Sequence, residues 1–151
     1  MAKATTAEYD ALATRPLTRM TSSRRRSINV AGYAHVNPIP AASRIGGLLM
    51  SSVVTGRDPA SGGMPGSIEE QCTQMFRVVR QIVEAAGGTT ADIIKMTVWL
   101  SDPTNREALN SEWVKLFPDP ASRPARHTLP LTSGGDSLIQ CDITAVLEPS
   151  S

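Results

Sequence analysis

Arg126 and Thr128 stand two positions apart in Ser122-Arg123-Pro124-Ala125-Arg126-His127-Thr128, a segment that runs into an apolar stretch. In a strand that spacing sends both side chains to the same side. The other side would carry Ala125, Leu129 and Leu131. Asp142 is expected on the polar face of the next strand, where it would join the arginine and the threonine around one shallow pocket. A guanidinium fork takes a carboxylate through two parallel hydrogen bonds. A nearby carboxylate can hold and polarise a water for attack on a C=N carbon. The same two charges could instead form a structural ion pair, and from physics alone the two readings weigh about evenly.

Other chemistries find little support. His35 and His127 are the only histidines, and neither has a carboxylate or cysteine at ligand spacing. Cys72 and Cys141 fit no zinc signature and no redox pair. They read as small buried residues of a reducing compartment, and a cytoplasmic location is expected. No glycine-rich nucleotide loop is present, and no cofactor or metal is expected. Asp58 and Asp102 sit in turns and read as turn formers. The net charge is +1 and aromatics make up 4% of the chain, which gives neither a basic footprint nor a base-stacking platform for nucleic acid. Arg24-Arg25-Arg26 reads as a solvated face. No apolar run reaches the roughly 18 residues of a membrane span, and the N-terminus lacks the apolar core of a secretory signal.

Several elements must position these groups. Residues 1–26 show no sustained period and are expected to form a flexible arm, with a single domain over 27–148. Ser27 to Tyr33 reads as a strand. His35-Val36-Asn37-Pro38-Ile39-Pro40 must be irregular, because its prolines remove donors and restrict their neighbours. A second strand runs from Leu48 to Val54, opened by Gly46-Gly47. Ser67-Ile68-Glu69-Glu70 is a capping box. Behind it Ile68, Cys72, Met75, Val79, Ile82 and Ala86 trace one helical stripe up to Gly87-Gly88. Ile93 to Ser101 reads as a strand with Ile94, Met96, Val98 and Leu100 on one face. Thr104-Asn105-Arg106-Glu107 looks like a second capping box, starting a helix to about Phe117. Strands at Pro124–Leu131 and Leu138–Leu147 close the chain. The order β-β-α-β-α-β-β predicts an α+β sandwich, with two helices on one face of a mixed sheet. The other face is too apolar to be fully wet, so another subunit is expected against it.

The chain resembles the RidA (YjgF) family. Gln81-Ile82-Val83-Glu84-Ala85-Ala86-Gly87 with Asp92-Ile93-Ile94-Lys95-Met96-Thr97-Val98-Trp99-Leu100 resembles its helix-to-strand signature. Arg123-Pro124-Ala125-Arg126-His127-Thr128 resembles its Pro-Ala-Arg motif, and Asn110-Ser111-Glu112-Trp113 its Asn-x-x-Tyr segment. With Pro59-Ala60-Ser61-Gly62 and Gln71, the likeness covers roughly residues 37–147. It implies a chorismate-mutase-like fold, a homotrimer with a central barrel, sites in clefts between subunits, and cofactor-free hydrolysis of enamines and imines to 2-oxo acids and ammonia. It makes Arg126 the carboxylate grip and Thr128 a substrate-facing residue. Asp142 falls where many members have a water-positioning glutamate, Ser52 lines the cleft, and Asn110 is mainly structural.

The sequence departs from the family at several places, among them Trp113, which replaces a tyrosine, and a longer N-terminal extension. Many members carry a Gly-Pro-Tyr motif before the second strand, whose tyrosine faces the site. Here the stretch reads Asn37-Pro38-Ile39-Pro40, and His35 or Asn37 is expected to fill part of the gap. Asp142 is one methylene shorter than glutamate. These changes point to a divergent branch, with an aminomuconate-type ring-cleavage product as a second candidate substrate. A non-catalytic ligand-binding or regulatory trimer is the alternative.

Overall fold

A computed structural model describes residues 5–13 and 24–149. Helix α1 (Thr6–Ala13) lies in the stretch expected to be an arm. It is tied down where Thr6 Oγ1 donates to the Val36 carbonyl at 2.5 Å. The rest of that stretch, apart from residues 5 and 24–26, lies outside the described residues.

The strands are β1 (Arg26–Ile28), β2 (Ala42–Ile45), β3 (Leu48–Ser51), β4 (Val54–Thr55), β5 (Ile93–Leu100), β6 (Ala125–Pro130) and β7 (Ile139–Val146). They form one sheet in the order β1-β2-β3-β7-β5-β6, with β4 also on β7. Only β5 and β6 run parallel. Gly46-Gly47, expected to open a strand, is instead the turn of the β2–β3 hairpin, with Gly46 at φ +55°. The expected first strand is shorter too. It ends at Ile28, and a lone Val30–Tyr33 bridge comes after it.

The expected second strand breaks between Ser51 and Val54 into β3 and β4, both paired to β7. Side chains take up the backbone groups that the break leaves over, as buried amides and carbonyls require. Ser51 Oγ accepts from the Ile143 amide at 2.9 Å. The Tyr33 hydroxyl accepts from the Thr55 amide at 3.0 Å and donates to the Val53 carbonyl at 3.3 Å.

Helix α2 (Ile68–Ala85) begins as its sequence predicts, with the Ser67 hydroxyl accepting from the Glu70 amide. It ends at Gly87, whose φ of +90° suits glycine. Its Cys72, Met75, Val79 and Ile82 are wholly buried against the sheet. Helix α3 (Glu107–Leu116) has no side-chain cap, contrary to the motif at Thr104. The Thr104 hydroxyl and amide both turn back to Asp102 Oδ1, at 2.6 and 3.0 Å, in a local turn that competes with capping. A reciprocal capping box sits instead at Thr89 and Asp92, on the short 3₁₀ helix Thr90–Asp92 before β5.

Strand β5 carries a bulge between Ile93 and Lys95. A bulge adds one residue and re-aims the side chains beyond it. Ile93 and Met96 therefore both face the helices, while Ile94, expected inside, is 55% exposed. Ile139, Cys141, Ile143 and Ala145 alternate into the core from β7. The outer sheet face carries Leu48, Met50, Ile94 and Val146, all about half exposed. Leu48 pairs directly with Val146.

Candidate functional site

Arg126 lies on β6, the strand at the edge of the sheet. The parallel register sets it beside Met96, and Thr128 beside Val98. Met96 and Val98 are buried under the helices. Arg126 and Thr128 therefore share a side, as their spacing predicts, but that side is the helix-covered one.

There the guanidinium meets two residues of α3 set one turn apart. Its Nη2 donates to Asn110 Oδ1 at 2.9 Å. Its Cζ stands 4.9 Å from the centroid of the Trp113 ring. Phe117 backs that ring edge-on at 4.8 Å, which fixes the indole. A cation over an aromatic face gains about 0.5–2 kcal/mol, more as water is excluded. Nη1 is shielded from solvent and has no hydrogen-bond partner among the described residues. Burial, and secondarily the positive charge of Arg106, hold the Arg126 pKa below its ordinary value. Among the described residues the one salt bridge is Lys115–Glu112, so no protein carboxylate neutralises Arg126. A partly buried cation with an orphan donor has the chemistry to take an anion with two acceptor oxygens.

Asp142 is not in that pocket. It sits on β7, with β5 between it and β6, and pairs with Thr97. The other neighbour of Thr97 is His127. Thr97, Asp142 and His127 thus form a row across the outer face, while Arg126 faces inward. The shared pocket and the Arg126–Asp142 ion pair drawn from sequence both fail within one chain. The reason is topological: the next strand along the chain is not the next strand in the sheet. Burial raises the Asp142 pKa above the usual aspartate value, which shifts the carboxylate toward useful basicity near neutral pH.

His35 and Asn37 come together elsewhere. Both line a cavity of about 350 Å³ with Asp10 and Thr6 of α1, Ser27, Asn29 and Ile39. The His35 ring meets Tyr33 edge-on at 5.6 Å. Burial lowers its pKa, and its Nε2 is shielded without a partner among the described residues. Ser52 does not project freely into this space. Its hydroxyl donates to the Pro40 carbonyl at 2.7 Å and its amide to Ala41 at 2.9 Å, which fastens the proline segment to the sheet.

Sequence reasoning does not single out Trp113 or Asp10 as site residues. Trp113 has a visible signal: it lies three residues after Asn110, one turn along the same helix face. Asp10 has none, since nothing in its surroundings predicts where α1 docks. Cys72 and Cys141 are buried, and burial pushes the Cys72 thiol up to about 12. Among the described residues no group of three or more His, Cys, Asp or Glu could hold a metal ion, and no helix is long and apolar enough to cross a membrane.

Residues 31–145 match the family described as Endoribonuclease L-PSP. A RutC family protein of Haemophilus influenzae is 36% identical over 84 residues, 56% of this chain and 65% of that protein. The chain thus spans just under two thirds of that relative. A 2-iminobutanoate/2-iminopropanoate deaminase of Capra hircus is 33% identical over 109 residues, 71% of this chain and 78% of the relative. The structure of the YjgF gene product of E. coli superposes with a TM-score of 0.73 at 26% identity, covering 80% of this chain and 98% of the other. The matched span contains α2, α3, β2 to β6, most of β7 and the Arg126 cradle, and the chain therefore belongs to the RidA/YjgF family, the family of the Endoribonuclease L-PSP description.

Proposed function

We propose that this protein hydrolyses a small carboxylate-bearing imine or enamine to a 2-oxo acid and ammonia, without a cofactor. The observation that carries the reading is Arg126, a partly buried guanidinium with no protein carboxylate against it and a donor to spare. The deaminase activity named for the Capra hircus relative supports it. Arg126 holds the substrate carboxylate, which presents the neighbouring C=N carbon in a fixed place. Asp142 takes a proton from water as the oxygen adds to that carbon. The carboxylate returns that proton to the nitrogen, giving a carbinolamine, and then carries the hydroxyl proton to the nitrogen as the C–N bond breaks, which leaves the 2-oxo acid and ammonia; an enamine first takes a proton on carbon to become the imine.

Arg126 and Asp142 face opposite sides of one sheet, so the reaction needs a second copy. In the proposed homotrimer the half-exposed outer faces pack around a central barrel, and Arg126 of one subunit and Asp142 of the next flank one cleft with the substrate between them. Thr128 lies beyond Arg126 on the same side of β6 and lines the cleft.

The test is ammonia release from freshly generated 2-iminobutanoate and 2-aminomuconate, wild type beside Arg126→Ala. We expect release from at least one substrate to fall at least a hundredfold in the variant, with the assembly unchanged by sedimentation. Full activity in Arg126→Ala would remove the arginine from the reaction. A second reading, a ligand-binding or regulatory trimer, is favoured by Ile39 in place of the family's tyrosine. Arginine-dependent binding of 2-oxobutanoate without turnover would support it.

A further inference from the structure

The Trp113 ring does something for Arg126 that a hydrogen-bonding partner would not. The cation lies over the indole ring, with Cζ 4.9 Å from its centroid, and the ring holds it without supplying a carbonyl or carboxylate acceptor. Asn110 Oδ1 takes one guanidinium N–H, on Nη2. A glutamate in place of the indole would grip the cation just as well, but it would also neutralise it and fill the donors that a ligand needs. The indole cannot easily yield, because it is 8% exposed and braced by Phe117. Asn110 and Trp113 sit one turn apart on α3, so they fix the guanidinium at two points along one helix face.

Resting on the reading of Arg126 as the carboxylate anchor, we infer that Trp113 is a positioning residue, whose aromatic ring holds the guanidinium without neutralising it and leaves Nη1 uncommitted for a carboxylate ligand. The aromatic face is the required property, and bulk alone does not supply it. Tyrosine or phenylalanine should keep much of the effect. Leucine, which fills a buried site but has no π face, should lose it.

Two measurements on the full chain test this. The first needs no ligand: the ¹⁵N relaxation of the Arg126 Nε–Hε group. It should report a rigid side chain in wild type and Trp113→Tyr, and a mobile one in Trp113→Leu. Equal rigidity in all three would overturn the proposal, whatever the protein binds. The second is titration with 2-oxobutanoate in a Trp99→Phe background, so that Trp113 is the only indole. Trp113 emission should change saturably. Calorimetry in the same background should show binding about tenfold weaker for Trp113→Leu and near wild type for Trp113→Tyr. KM for imine hydrolysis should rise by a similar factor, with kcat changed less. Equal affinity in the leucine and tyrosine variants would reduce Trp113 to a core residue. If rigidity tracks the aromatic series but 2-oxobutanoate binds Arg126→Ala as well as wild type, the carboxylate-anchor reading fails. The ligand half of this inference fails with it, and the ordering of Arg126 stands.

Discussion

Asp142, the proposed base, would serve chemistry against the stability of the fold that carries it. Burial raises its pKa, so the folded state favours the protonated form more than the unfolded chain does. Its contribution is therefore fully present below the unfolded value of about 3.9 and is lost as pH rises through the higher folded value. Asp142→Asn removes a charge that the fold disfavours at neutral pH. Thermal melts should show the variant gaining Tm at pH 7 relative to wild type, with the gain vanishing near pH 3. The same variant should lose hydrolysis, together with the acidic limb that Asp142 gives the pH profile of kcat/KM. A Tm difference independent of pH would mean that the gain is not electrostatic. At this scale the sequence is half legible. The Pro-Ala-Arg segment points to Arg126, and Arg126 does carry an unneutralised charge. Its facing cannot be read, because residue spacing says which side chains share a side but not which side the helices cover.

Elements are more legible where a local rule acts alone. The stripe behind Ser67 makes α2 readable nearly to the residue, and Gly87 marks its end. Competition hides the rest. Thr104 has the right spacing for a cap but bonds to Asp102, and the bulge at Ile94 arises from register with β7, not from any pattern within β5. Gln71 shows the same dependence on distant partners. It is wholly buried on α2, and its amide donates to the Pro65 and Asp136 carbonyls and accepts from the Leu138 amide. One side chain thus ties the loop before α2 to the start of β7. The fit is close enough that a Cβ at Gly56 would stand 2.4 Å from the Gln71 carbonyl oxygen. Gln71→Leu keeps the volume and strands the three backbone groups. Each buried unsatisfied group costs about 1–3 kcal/mol, and partial rehydration recovers some of it. Urea denaturation should register a loss of about 3 kcal/mol. A loss under about 1 kcal/mol would mean that those groups find other partners.

At the scale of the whole molecule, the outer sheet face is the feature that a single chain leaves unexplained. Leu48, Met50, Ile94 and Val146 stand about half exposed on it beside Asp142 and Thr97. Contiguous apolar surface of this kind marks an interface. The proposed trimer predicts that Met50→Asp, which sets a charge on that face without touching the core, will shift sedimentation toward monomer. Hydrolysis should fall in parallel, while far-UV circular dichroism keeps its helix and strand signal. An unchanged sedimentation coefficient would move the interface elsewhere. The sequence hints at this face through the mixed polarity of its strands. It cannot show that Arg126 and Asp142 lie on opposite sides of the sheet, since β5 stands between β6 and β7.

The parallel pairing of β5 and β6 has a further consequence. Parallel neighbours need a crossover, and here the crossover is α3. Arg126, Asn110 and Trp113 consequently belong to one uninterrupted β-α-β unit, from Ile93 to Pro130. The Arg126 cradle is local in sequence, whereas the outer face that carries Asp142 is assembled from strands at both ends of the fold. In the proposed trimer, ligand preference could therefore drift through replacements confined to one short stretch of the gene, while most contacts of the proposed interface are inherited unchanged.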